Sequence, residues 1–122
     1  MIFSSGGSVA ASATVDIGQG AQTTTATESN VYQMMSASAS FGHFYCAGQK
    51  QTAGNTITFT LRQFTPSGGS FGTATNVATC TVATGAVSGV SSGTFSFTAG
   101  DVYDVQVANG NTAGGVTAAL GP

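Results

Sequence analysis

Charge is nearly absent from this sequence of 122 residues: two Lys/Arg and four Asp/Glu make it 5% charged, with a formal net charge of −2. Ordinary soluble domains carry about 25%. The two basic residues, Lys50 and Arg62, are too few for a nucleic-acid footprint, because phosphate contacts need a cluster of cations. The same shortage disfavours binding to anionic membranes. No apolar run approaches the roughly 20 residues of a spanning helix. A free monomer normally keeps apart from its neighbours through interspersed surface charge. A chain so poor in charge reads as a surface largely covered by other protein.

The same shortages empty the list of catalytic groups. His43 is the single histidine, so no dyad of histidines exists. Cys46 lies three residues further on, and in a strand the two side chains point to opposite faces. The four acids, Asp16, Glu28, Asp101 and Asp104, are too scattered for a calcium loop or a paired-carboxylate hydrolase. Asp101 reads as an acceptor for turn amides. Gly68-Gly69 is not followed by the Gly-Lys-Ser/Thr element of a phosphate cradle. No Asn-x-Ser/Thr acceptor occurs. The expectation is therefore no enzyme, no catalytic, cofactor-binding or metal-ligating residue, and no cofactor.

Of the two cysteines, Cys46 and Cys80, each falls in an expected strand. Two separately buried thiols are the favoured reading, since free Cys packs as a small hydrophobe. A disulfide between them is the alternative in an oxidising compartment. The N-terminus, Met1-Ile2-Phe3-Ser4-Ser5-Gly6-Gly7, lacks a basic n-region and an apolar h-region, which argues against a signal peptide. Synthesis and use in a cytoplasm follow, or else a leader has been removed.

What is present is neutral and β-forming. Apolar residues reach 41%, and Thr, Ser, Gly, Gln and Asn supply most of the polarity. Thr56-Ile57-Thr58-Phe59-Thr60-Leu61-Arg62 alternates without a break, which is the pattern of a half-buried strand. Val77–Val82, Thr94–Thr98, Val102–Val107 and Gly115–Leu120 read as further strands, with Ala99-Gly100-Asp101 and Asn109-Gly110-Asn111 as turns. Weaker strand signals lie around Ala13-Thr14-Val15, Val31–Met35 and Phe41–Ala47. No stretch carries a helical stripe with caps. Ile57, Phe59, Leu61, Phe95, Phe97, Tyr103, Val105 and Val107 are the expected core. Short strands at this spacing indicate a sandwich or barrel. Residues 1–28 read as an N-terminal arm and loop, and 29–122 as one β-sandwich domain.

The C-terminal half carries a recurring order. Thr58-Phe59-Thr60-Leu61-Arg62 leads to a Gly-rich excursion and then to Ala78-Thr79-Cys80-Thr81-Val82. Gly93-Thr94-Phe95-Ser96-Phe97-Thr98-Ala99-Gly100-Asp101 and Val102-Tyr103-Asp104-Val105-Gln106-Val107 follow. This resembles the small jelly-roll heads of bacteriophage structural proteins, of the capsid decoration (cement) or fibre-tip type. It is distantly similar to the trimeric C1q/TNF-type heads. The resemblance implies an all-β, antiparallel jelly-roll sandwich of about eight strands with an extended N-terminal arm. It implies a viral structural protein, a homotrimeric decoration protein stabilising a phage capsid lattice. Its partners would be other copies of itself and the major capsid protein. The chain would be made in a host cytoplasm and reside on the capsid surface of the virion. The alternative is the receptor- or glycan-binding head of a phage fibre. Phe64 and Phe71, which flank the long loop, and Met1, Ile2 and Phe3 of the arm are the interface candidates.

Overall fold

The computed structural model describes residues 2–4, 14–19, 33–50, 56–109 and 113–122. They form nine strands and no helix: β1 (Ile2–Ser4), β2 (Thr14–Gln19), β3 (Gln33–Met34), β4 (Ala39–Lys50), β5 (Ile57–Phe64), β6 (Thr75–Val82), β7 (Ser88–Phe97), β8 (Val102–Asn109) and β9 (Ala113–Gly121). Every ladder is antiparallel. The strands follow one path, β6-β5-β8-β2-β1-β9-β4-β7, with β3 paired to β8 beside it. First pairs with last and inner with inner: β1 with β9, β2 with β8, β4 with β7, β5 with β6. The β8–β5 and β9–β4 ladders join these pairs into two sheets. This nesting is the topology of a jelly roll. Sheet one is β1-β9-β4-β7 and sheet two is β2-β8-β5-β6.

The core lies between them and follows from the period of two. In β5, Ile57, Phe59 and Leu61 are buried, while Thr58, Thr60 and Arg62 keep partial exposure. Sheet two adds Ile17, Ala78, Cys80, Val82, Tyr103, Val105 and Val107. Sheet one answers with Phe44, Cys46, Phe95, Phe97, Val116, Ala118 and Leu120. Phe97 and Tyr103 meet across the layer with ring centroids 4.4 Å apart, at a tilt of 49°. The Tyr103 hydroxyl accepts a hydrogen bond from the Thr98 amide at 3.0 Å. All eight core residues read from the sequence are in this layer or at its margin of exposure.

Three expectations are corrected. Residues 1–28 are not simply an arm: β1 completes sheet one beside β9, β2 lines the edge of β8, and Ile17 is fully buried. The pairing is non-local, so the local pattern could not report it. The second correction concerns the sulfurs. Cys46 and Cys80 are not separate thiols but a disulfide, with Cα atoms 6.0 Å apart, linking β4 of sheet one to β6 of sheet two. The third is Phe64, an interface candidate of the sequence, which is buried within the chain itself. It stands opposite Val102 in the β5–β8 ladder, on the outer side of sheet two and outside the main core. The Arg62 guanidinium lies over its ring, 5.6 Å from the centroid. Arg62 is itself opposite the buried Asp104 in the same ladder. Met1 and residues 5–13, 20–32, 51–55 and 110–112, with them Glu28 and most of the 109–111 turn, lie outside the described residues.

Candidate interaction face

Outward positions of sheet one form three rows across three strands. In the central row, Tyr45 of β4 is flanked by Val90 of β7 and Ala119 of β9. The next row is Ser88, Ala47 and Thr117, and the row on the other side is Ser92, His43 and Gly121. None of these nine positions is Lys, Arg, Asp or Glu. Tyr45 is 45% exposed and Val90 is 55% exposed, side by side on the outer face. Val87, just before β7, is 67% exposed at the margin of the same region.

The relief of the face has a local cause. The Tyr45 ring stacks on His43, with centroids 5.6 Å apart and planes at 23°. It also lies over Gly121, where a Cβ would come within 3.2 Å of Tyr45 Cε2. The ring is thus held down along the strand axis. Beside it runs an open groove of about 480 Å³, walled by Tyr45, Ala47, Ser88, Val90, Thr117 and Ala119, with Cys46 and Gly89 on its floor. Such a surface can pack against another neutral surface with no charge to desolvate. Its hydroxyls and backbone edges still offer hydrogen bonds.

Each residue singled out in the sequence now has a place. His43 donates from Nδ1 to the Pro122 carbonyl oxygen at 2.6 Å, which ties β4 to the end of β9. Asp101 does not serve the turn amides through its side chain. Its Oδ2 accepts from Gln63 Nε2 and, at 3.3 Å, from Thr65 Oγ1. Its carbonyl accepts from the Met35 amide at 3.0 Å. Asp101 thereby clasps the start of the long loop to the β7–β8 turn. Phe71 is 43% exposed on that loop. The loop is ordered by reciprocal Ser67–Ser70 backbone bonds of 2.8 and 3.0 Å around Gly68 and Gly69, whose φ of 60° and 79° suit a tight turn of the mirror-image kind. Ile2 and Phe3 sit in β1 opposite Ala119 and Ala118. Among the described residues, no three of His, Cys, Asp and Glu come together as a metal site. The sequence reading missed Tyr45 and Val90. Their outward phase was legible from the strand alternation, but not that neighbouring strands bring them side by side.

No protein-family model matches the chain. No curated protein matches it. Among solved structures it is similar to the crystal structure of murine APRIL, at 10% identity and a TM-score of 0.51, over 100% of this chain and 100% of that one. At that identity the likeness is one of fold: a distant TNF/C1q-like jelly roll.

Proposed function

We propose that the chain is a non-catalytic structural module that associates with itself through the outer face of sheet one, as a homotrimer, and decorates a phage capsid lattice. One observation carries this reading: the uncharged Val90–Tyr45–Ala119 row and the groove beside it, exposed on the outer face of sheet one. The best-matched cover for such a face is another of the same kind. Hydroxyl and methyl groups lose little on desolvation compared with charges, for which the effective penalty is several kcal/mol per ion. Closed symmetry would also cover what remains exposed of β6 and β7, each of which ends the strand path. The major capsid protein is the second partner in this reading, and the capsid surface is its location.

Sedimentation velocity tests the first step. The wild-type chain is expected to run as a trimer, and Tyr45→Glu, which plants a charge at the centre of the face, as a folded monomer. A wild-type monomer sinks the reading. Co-sedimentation with undecorated capsids tests the second step, and absence of binding sinks the capsid assignment alone. A fibre head that binds a receptor or glycan is favoured by one different observation, the exposed Phe71 on its rigid loop. Loss of ligand binding in Phe71→Ala, with the trimer intact, would support it.

A further inference from the structure

We propose that the Cys46–Cys80 bond is an oxidation-set latch for the groove on sheet one, so that association between copies depends on the redox state of the chain. The proposal rests on the reading of that face as the contact between copies.

The strand path is asymmetric at its two closures. On one side, β1 and β2 form a ladder that carries sheet one into sheet two. On the other, β6 and β7 are the path's two ends, and no ladder joins them among the described residues. Besides the short 83–87 connection and the packing of Ala78 and Val82 in the core, two features mark that side. One is the disulfide from β4 to β6. The other is the close approach of β7 to β6 at Gly89, where a Cβ would collide with the Thr81 carbonyl oxygen. These two features touch each other, since the same Cβ would stand 3.5 Å from Cys46 Sγ. Cys46 and Gly89 are also the floor of the groove, with Ser88 and Val90 on either side of Gly89 as its wall. A displacement of β6 therefore reaches the outer face through one glycine.

Burial sets the order of events. Cys46 is 3% exposed and Cys80 is 2% exposed, so small reagents have little access once β7 has settled over them. The bond forms before or while that side closes, and afterwards resists reduction until the side opens. The oxidant is a low-molecular-weight disulfide. One cysteine thiolate attacks it and releases one small thiol; the second cysteine thiolate attacks the mixed disulfide and releases another. Two cysteine thiols are oxidised, one small disulfide is reduced to two thiols, and the two protons end on those thiols.

The test compares the oxidised wild-type chain with Cys46→Ala/Cys80→Ala by sedimentation equilibrium and by amide hydrogen exchange. The double variant is expected to keep its β-sheet circular dichroism. Its dissociation constant should rise at least about tenfold, a change of about 1.4 kcal/mol. Exchange should quicken at Thr79–Val82 and Ser88–Val90 while β8 stays protected. An unchanged dissociation constant overturns the latch, whatever the exchange shows. So does a double variant that cannot fold, because the bond would then hold the whole sandwich rather than one side. If the oxidised wild-type chain is itself monomeric, the reading of the face fails. The exchange pattern then decides alone whether the bond shapes the groove: a rise confined to β6 and β7 upholds that, and a uniform rise or none overturns it.

Discussion

Tyr103 joins the two layers at the scale of single residues. Its ring packs on Phe97 and its hydroxyl accepts from the Thr98 amide. Burial pushes its phenol above the ordinary 10.0, the Thr98 bond works in the opposite direction, and the nearby Asp101 adds a smaller upward push. A phenol whose folded value exceeds its unfolded one contributes stability that is complete below the unfolded value. That stability is lost as pH rises through the folded value. Chemical denaturation is therefore expected to show stability falling above about pH 10. Tyr103→Phe should flatten that fall, at the expense of the Thr98 hydrogen bond. The two loop-flanking phenylalanines make a second contrast. Phe64→Ala empties a buried site and should lower unfolding free energy by about 3–5 kcal/mol. Phe71→Ala, on an exposed loop, should stay within about 0.5 kcal/mol. Equal effects would contradict the burial of Phe64.

Strand edges and their contacts set the next scale. Gly89 lets β7 approach β6 where no side chain fits, and the obstructing atom is backbone, which cannot swing aside. Gly89→Ala should cost about 1–3 kcal/mol, as overpacking does, read from the urea midpoint. Gly85, with open space where its Cβ would be, is the control for size alone, although its φ of 80° brings strain of another kind. At this scale the sequence was readable where one strand explains itself. Ile57, Phe59 and Leu61 alternate with threonines, and the burial follows the alternation. It was unreadable where a strand exists because of its partner. Ile2–Ser4 has three residues and no pattern, yet it pairs with both β2 and β9. Phe64 belongs to the outer phase of β5, where Val102 stands opposite it and Arg62 lies over its ring.

The whole molecule is a packed pair of sheets: Asp16, Arg62, Asp101 and Asp104 lie on or beside sheet two, Lys50 ends β4 of sheet one, and none of these five falls in the three rows of the sheet-one face. The disulfide spans 34 residues of chain and joins the two sheets. By the chain-entropy estimate, its loss should lower stability by about 4 kcal/mol, measured by denaturant unfolding of the double alanine variant. That is less than the 5–15 kcal/mol typical of a domain, so the variant remains folded in this account.

Composition and alternation by themselves determined that the described residues are all-β in class and which faces of the C-terminal strands are buried. Those properties depend on residue type and on neighbours two apart, which a linear string records. Tertiary structure alone decided that Cys46 meets Cys80, that residues expected in an arm are strands, and that Tyr45, Val90 and Ala119 share a row. Each depends on pairing between segments tens of residues apart, and the register of that pairing is set by the whole core.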